Sequence, residues 1–389
     1  MDSTRTATLD ELDELIDRVA EAARAHASDV DEQSRFPSEA ILAAKAAGLL
    51  GAPVPLASGG MALDFTNLCR IVGRVAEACS ASGMILAMHY SQLLCLLRHG
   101  RNTAHLELLS RCADEQFLLA SATTERNVGG DTRTSSCAVE RLDANAIKLS
   151  KSCPVISYGR FADAILVTAR RNPAAVPNDQ VMVYLPIGQV RLTKTNDWDA
   201  LGMRGTCSEG FELEAESSTE YVLSDGYETI SSETAVPAAH VLWASAWLGM
   251  ATQAGKTARS VVQKAAKRTP GSIPPSALRL AELEVQLQSM TALVRSAVQQ
   301  YQRNWADPEN LSSLQSAISM NTLKVAAAEF VRTIVGDAML IVGMPGFANK
   351  SPMSLARLYR DSIAPSIMIN NDRILQQTST LQLISRGAR

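Results

Sequence analysis

The 389-residue sequence predicts an α+β protein in which a helical unit, a β domain and a helix bundle follow one another along the chain. Apolar residues return every three or four positions over residues 8–118 and again after about residue 234, which is the period of amphipathic helices. Between about 119 and 230 the pattern changes to strand-like alternation. One core rarely exceeds roughly 250 to 300 residues, so we assign domains 1–118, 119–232 and 233–389.

Turn-forming Gly, Pro, Asn and Asp residues divide these parts into separate helices and strands. The first part predicts helices at 9–25, 38–48, 63–80, 84–99 and 104–112. The middle predicts strands at 146–151, 164–170, 180–186, 190–195 and 210–216. The last part predicts a four-helix bundle with helices at 237–267, 276–305, 311–342 and from 354 to near the end.

Composition excludes several classes of protein. The 37 Lys+Arg and 40 Asp+Glu leave a net charge of -3, so no nucleic-acid partner is expected. The first residues predict an acidic amphipathic helix rather than a signal peptide, and we find no uninterrupted apolar window of about 18 residues, so no membrane association is expected. The seven cysteines lack CxxC or metal spacing, which favours the reducing cytoplasm and predicts no metal site.

Neither a GxGxxG turn nor a GxxxxGK[ST] loop is present, so a bound nucleotide needs another kind of site. Four segments resemble acyl-CoA dehydrogenases, whose layout is also helices, β domain, helices. They are ATTERNVGGD (122–131), PVISYGRFADAILVTAR (154–170), LGMRGTCSEGFELE (201–214) and SPMSLARLYRDS (351–362). The resemblance implies a flavoprotein with FAD as its cofactor.

The resemblance also implies roles at the flavin. In relatives a threonine at Thr124 hydrogen-bonds the flavin ring, and the small residue at Gly130 lets backbone N–H groups approach the diphosphate. Ser157 stands where the family keeps a threonine beside flavin N5. Val155 occupies the position of a tryptophan that stacks on the ring.

Two C-terminal loops resemble family segments that reach the flavin of a neighbouring subunit. KRTPG (267–271) implies cofactor contacts from Lys267 and Thr269, although Pro270 replaces a phenylalanine. IVGMPGF (341–347) implies a contact from Gly343, although Leu340 replaces a glutamine. A site shared in this way implies a homodimer or homotetramer.

The family's catalytic base does not appear in this sequence. The run MINNDRI (368–374) places Ile369 where acyl-CoA dehydrogenases carry the glutamate that removes the α-proton, and Ile369 cannot take a proton. Asp372, three residues later, is one candidate base, with a helix N-cap as the alternative. His240 is another, with a core position as the alternative. Asn371 and Arg373 are predicted to hold the FAD phosphate.

Two further residues are assigned to substrate. His89 lies on a helix where relatives often place a histidine or asparagine facing the substrate channel, with a core position as the alternative. Ser208, in the most family-specific string, is predicted near the same channel.

Three functions remain open. The leading hypothesis is an FAD-dependent dehydrogenase of an acyl-CoA or acyl-carrier-protein thioester, which passes electrons to an acceptor flavoprotein. The second hypothesis is a flavin-dependent monooxygenase or oxidase that receives reduced flavin from a reductase. It is favoured by the loss of the base and of the stacking tryptophan. The third is a non-catalytic family member that binds or scaffolds.

Overall fold

The computed structural model of the chain describes residues 9–126, 132–268 and 270–384. Two residues that the sequence assigned to the flavin, Gly130 and Thr269, lie outside the described residues.

The N-terminal unit consists of helices. They are α1 (Leu9–Glu32), α2 (Ser38–Ala46), α3 (Phe65–Ala78), α4 (Ser80–His99) and α5 (Thr103–Asp114). Side chains fix two of the starts, because Asp64 accepts the N–H of Asn67 at α3 and Asn102 accepts the N–H of His105 at α5. α1 packs against α2 and α3, and α3 packs against α4, which is buried along nearly its whole length.

α4 is long and strongly apolar, a feature absent from the sequence predictions. Among the described helices it has the length and hydropathy to cross a membrane, but 89% of the apolar window is buried inside the protein. Its apolar surface therefore forms part of the core.

The strands of the middle domain, as far as it is described, form two sheets. They are β1 (Leu119–Ala122), β2 (Glu140–Arg141), β3 (Ala146–Ile156), β4 (Ala164–Arg170), β5 (Gln180–Pro186), β6 (Val190–Asn196) and β7 (Glu209–Ser218). One sheet has the order β1-β4-β5, with β1 parallel to β4, and the other is antiparallel with the order β2-β3-β7-β6. The sequence missed β1 and β2 because each is too short to display an alternation.

The C-terminal unit is helical. It contains α6 (Tyr227–Ile230), which a π-turn joins to α7 (Val236–Arg268), then α8 (Ala277–Asn304), α9 (Pro308–Leu311), α10 (Leu314–Val342), α11 (Met344–Phe347), α12 (Ala356–Asp361), α13 (Ala364–Ile367) and α14 (Asn371–Ile384). The single helix predicted from residue 354 is wrong. Pro365 lies in the first turn of a new helix, α13. Ile369 has a positive φ of 47°, which interrupts the helical path before α14.

The Arg-Asp pair of the family-like signature joins the three units. Arg360 forms an ion pair with Asp31 of α1 and donates to the carbonyl of Leu201. The carboxylate of Asp361 accepts the N–H of Met203 at 2.6 Å. The predicted fold class, helices around a middle β domain, is confirmed, and this signature serves the packing of its parts.

Candidate functional site

Thr124, Val155 and Ser157 lie together at the ends of β1 and β3. The Thr124 hydroxyl donates to the Val155 carbonyl oxygen at 3.3 Å, so the two strand ends are held side by side. Val155 is 37% exposed, and Ser157 is half-buried. An exposed apolar side chain thus lies beside two hydroxyl groups, a combination that can contact the face and the edge of a flat heteroaromatic ring.

A chain of hydroxyl groups extends inward from Ser157. Its Oγ lies 2.8 Å from the Oγ of Ser208, and the Ser208 Oγ lies 2.8 Å from the Oγ1 of Thr206. The Thr206 hydroxyl donates to the Met203 carbonyl at 2.9 Å. Ser208 is only 7% exposed and lies behind Ser157, and its position near the substrate channel stays a prediction.

Glu125, next to Thr124, is a buried acid that the sequence analysis gave no role. It accepts hydrogen bonds from the Ser135 hydroxyl at 2.6 Å and from the Cys137 N–H at 2.9 Å. Burial alone would raise the pKa of this carboxyl, but bonds from Ser135 and Ser136, with nearby Lys151, outweigh it and lower the pKa. Glu125 thereby ties the end of β1 to residues 135–137.

The segment that replaces the family's base is organised around a buried lysine. Lys324 of α10 donates to the carbonyl oxygens of Pro365 at 2.9 Å and Ile369 at 2.5 Å, and to the Asn371 Oδ1 at 2.7 Å. Burial lowers its pKa to about 8, which still leaves an ammonium group at neutral pH. Its three protons therefore all have acceptors in the 365–371 turn.

This arrangement changes the assignments in the turn. Asn371 is buried, with its Oδ1 on Lys324 and its Nδ2 3.4 Å from a carboxylate oxygen of Glu329, and its donation to flavin phosphate stays a prediction. The N-cap of α14 is Asn370, whose Oδ1 accepts the Asp372 N–H at 2.8 Å, so the cap alternative for Asp372 is wrong. Asp372 and Arg373 are exposed in the first turn of α14, where their catalytic and phosphate roles remain predictions.

Both histidines assigned to the site are core residues. His89 Nε2–H donates to the Leu50 carbonyl at 2.8 Å, and its Nδ1 accepts the Leu119 N–H at 3.0 Å. Because both ring nitrogens are occupied by backbone, the predicted substrate contact of His89 is wrong. Burial lowers its pKa to about 4 and keeps the ring neutral.

His240 is held similarly. Its Nδ1 lies 3.2 Å from the Met320 carbonyl, and its ring packs against Trp243. Burial, together with the positive charge of Lys324, lowers its pKa to about 4. We therefore correct His240 from a catalytic base to a packing residue.

The loops predicted to serve a neighbouring subunit lie at the surface. Lys267 is exposed in the last turn of α7. Gly343 ends α10 at φ 70°, and a Cβ there would meet nothing within 4 Å. Leu340, Met344 and Phe347 beside it are all exposed apolar side chains. In one chain these residues do not meet the hydroxyl cluster at β1 and β3.

Two surface hollows, of about 460 and 480 Å³, lie elsewhere. The first lies between α7 and α8, and the second lies in the β domain near Arg141 and Arg171. Neither includes Thr124, Ser157 or Ser208. In the described part of the chain, no group of His, Cys, Asp or Glu could hold a metal ion, and all seven cysteines are free and buried.

Fold and site together define a member of the acyl-CoA dehydrogenase family, to which the chain belongs. The family's N-terminal domain model matches residues 6–116, and its C-terminal domain model matches residues 226–372.

The similar proteins include an enzyme named for an amino sugar and an acyl-CoA dehydrogenase. The amino sugar nitrososynthase DnmZ of Streptomyces peucetius is 26% identical over 372 residues, which span 91% of this chain and 88% of that protein. KijD3, solved with FMN and dTDP-3-amino-2,3,6-trideoxy-4-keto-3-methyl-D-glucose, superposes with a TM-score of 0.83 over 100% of this chain and 97% of its own at 21% identity. Butyryl-CoA dehydrogenase of Megasphaera elsdenii superposes with a TM-score of 0.82 over 98% and 100% at 19% identity. The chain is thus a flavoenzyme of this family.

Proposed function

We propose that the protein is a flavin-dependent oxygenase that oxidises the amino nitrogen of a sugar substrate, using reduced flavin delivered by a partner reductase. The single observation that carries this proposal is Ile369 at the position of the family's catalytic glutamate. The described carboxylates next to the hydroxyl cluster, Glu125 and Glu209, are engaged by Ser135 and Arg160.

The two reactions differ in their need for a base. Dehydrogenation of an acyl thioester begins with removal of a carbon-bound proton, which requires a positioned proton acceptor. His89 and His240 are locked in the core, and Asp372 lies exposed at the start of α14. An amine, by contrast, carries its own lone pair and can attack an electrophilic oxygen without loss of a carbon-bound proton. The residues present suit the second chemistry.

The substrate class comes from the relatives. DnmZ is named for an amino sugar, and KijD3 was solved with a nucleotide-linked amino sugar. Both align with nearly the whole chain. A nucleotide-linked amino sugar is therefore the substrate that we propose, in place of an acyl-CoA or acyl-carrier-protein thioester.

The flavin would lie on Val155, with the Thr124 and Ser157 hydroxyls at its edge. When bound, it supplies the two-electron chemistry that activates oxygen. The sequence predicts FAD, but Pro270 and Leu340 replace an aromatic ring and an amide in the loops that resemble segments reaching a neighbouring subunit's FAD. Those replacements, and the FMN in KijD3, favour FMN. Lys267, Gly343 and Arg373 are the described residues that would reach its phosphate.

A homodimer or homotetramer remains our expectation for the assembly. The apolar residues Leu340, Met344 and Phe347 beside Gly343 are 64%, 73% and 68% exposed, which favours their burial against a second copy. We also propose a cytoplasmic location, since seven buried free thiols suit a reducing compartment.

Acyl-thioester dehydrogenation is the second candidate. The retained family signature and the shared fold with butyryl-CoA dehydrogenase favour it, with Asp372 as the base. It requires the first turn of α14 to present this carboxylate to the flavin.

One experiment separates the candidates. Purified protein is reconstituted with FMN or FAD and mixed anaerobically with short-chain acyl-CoA, and separately, after reduction, with oxygen and a dTDP-linked amino sugar. We expect no flavin bleaching by the thioester and an oxidised amino sugar in the aerobic reaction. Bleaching that is lost in Asp372→Asn would establish the dehydrogenase instead, while failure to bind either flavin would leave a non-catalytic family member.

A further inference from the structure

The hollow in the β domain opens between its two sheets. Its volume is about 480 Å³, which lies within the roughly 300 to 1,000 Å³ of small-molecule sites. Ile147 of β3 contributes to one wall and Val181 of β5 to the other, while Val139 and Val222 line it from the segments that flank the strands. All four side chains are branched and apolar, so the inner surface of the hollow is suited to an apolar group.

Backbone hydrogen bonds hold the lining segments in place. The Val139 N–H donates to the Arg170 carbonyl oxygen at 2.9 Å, which attaches the segment before β2 to the end of β4. The Leu223 N–H donates to the Met182 carbonyl oxygen at 2.8 Å, which attaches the segment after β7 to β5. The hollow is therefore preformed, and a ligand does not have to order its walls.

The charged side chains that line the hollow are both arginines. Arg141 is exposed and has no carboxylate partner among the residues that the structure describes. Arg171 donates from Nε to the carboxylate of Asp179 at 3.0 Å, and this contact leaves its two terminal nitrogens for another acceptor. A planar guanidinium group matches the oxygen atoms of a carboxylate or a phosphate, so the two arginines favour an anion at the hollow.

We propose that this hollow is a binding site for an amphiphilic organic anion, a molecule with an apolar chain and a terminal carboxylate or phosphate. The apolar chain lies against Val139, Ile147 and Val181, and the anionic group pairs with Arg141 and Arg171. This site is separate from the candidate flavin site, because neither Thr124 nor Ser157 lines the hollow. The proposal therefore goes beyond the proposed function and does not depend on it.

A pair of probes that differ in charge tests the requirement for an anion. Octanoate and its neutral amide, octanamide, are titrated into the full-length protein and followed by calorimetry. Octanoate should bind saturably at one site per chain, and octanamide should bind at least about tenfold more weakly, because it forms no charge-assisted hydrogen bond. Equal affinity for the two probes, or no binding of octanoate, would overturn the proposal.

Substitutions locate the bound anion. Arg141→Gln and Arg171→Gln should each weaken octanoate binding by about three- to tenfold. Arg191→Gln is the matched control, since Arg191 is an exposed arginine of the same domain that pairs with Glu214 outside the hollow, and it should leave the affinity unchanged. Val222→Trp places a larger side chain in the hollow and should abolish binding. Wild-type affinity in the two lining-arginine variants, or in Val222→Trp, would show that octanoate binds elsewhere and would overturn the proposal.

Two further titrations complete the test. Octyl phosphate identifies the preferred anionic group: tighter binding than octanoate indicates a phosphate and weaker binding a carboxylate, and either order supports the site if Arg141→Gln reduces both affinities. Octanoate binding should also be unchanged in the presence of FMN. Displacement of octanoate by FMN would place it at the flavin site and would overturn this inference while leaving the proposed function intact.

Discussion

Two regions of the molecule that acyl-CoA dehydrogenases bring together at the flavin have diverged to different degrees. At the ends of β1 and β3, Thr124 and Ser157 keep the hydroxyl groups that the family places around the ring. In the turn before α14, Ile369 replaces the base, and Lys324 holds the surrounding backbone. The residues at the ends of β1 and β3 that would bind the cofactor are retained, while the glutamate that would remove a proton is absent from the turn before α14.

That difference separates binding from chemistry. A flavin needs a flat apolar surface, hydrogen bonds at its edge and compensation of its phosphate charge, and these requirements do not depend on the reaction. Proton abstraction needs one carboxylate at one place. A family can therefore keep its cofactor site while it changes its reaction, and we propose that this chain follows that course.

The largest expected effect tests the organisation of the turn. Lys324→Met leaves three buried oxygen acceptors without a donor, so we expect the free energy of unfolding to fall by about 3 to 5 kcal/mol. Urea denaturation measures this change. Lys264→Met, at an exposed position of α7, is the matched control and should cost less than about 0.5 kcal/mol. Equal effects in both variants would contradict an organising role for Lys324.

The two core histidines predict acid sensitivity. Both His89 and His240 have their pKa lowered by burial from 6.5 to about 4, so the unfolded chain takes up protons that the fold does not. Their contribution is fully present above pH 6.5 and is lost as the pH falls toward 4, by about 3 kcal/mol for each. Denaturation at pH 7, 6 and 5 should show the decline, and His89→Gln should make it shallower. An unchanged slope in that variant would contradict a neutral His89.

The predicted flavin contact at the ends of β1 and β3 can be tested by restoring the family's tryptophan at position 155. Val155→Trp places a ring on the exposed surface beside Thr124 and Ser157, so we expect flavin affinity to rise about three- to tenfold through stacking. Fluorescence titration with FMN measures it. Val176→Trp, at an exposed valine in the loop between β4 and β5, provides the control and should leave affinity unchanged. Unchanged affinity in Val155→Trp would mean that the flavin does not lie on this surface.

The smallest effect concerns the backbone at Ile369. A β-branched residue at φ 47° is strained, and asparagine tolerates this region better. Ile369→Asn should therefore raise the free energy of unfolding by up to about 1 kcal/mol, although some apolar contact is lost. Thermal unfolding measures it, and a decrease greater than about 1 kcal/mol would show that the isoleucine side chain is the more important factor.

Much of the fold follows from periodicity, because α1, α3, α7 and α10 are long and β3 to β7 alternate or form apolar runs. The exceptions have local causes. β1 and β2 are too short to carry a pattern, and the last predicted helix breaks at Ile369, where Lys324, distant in sequence, draws three oxygen atoms toward itself.

The sequence identified individual residues of the candidate site but not the contacts between them. Ser157 and Ser208 were each identified by family resemblance, but their contact, and its continuation to Thr206, depends on how β3 meets the turn before β7. His89 illustrates the opposite error. A histidine on a helix gives no sign in the sequence that both its nitrogens bind the backbone of Leu50 and Leu119.

We propose that this chain binds flavin to oxygenate an amine and does not remove hydride from a thioester. The most direct measurement supplies the protein with reduced FMN, a dTDP-linked amino sugar and ¹⁸O₂, and follows the sugar by mass spectrometry. We predict incorporation of ¹⁸O at the amino nitrogen. An unchanged sugar, together with formation of an α,β-unsaturated product from acyl-CoA by the same preparation, would contradict the claim.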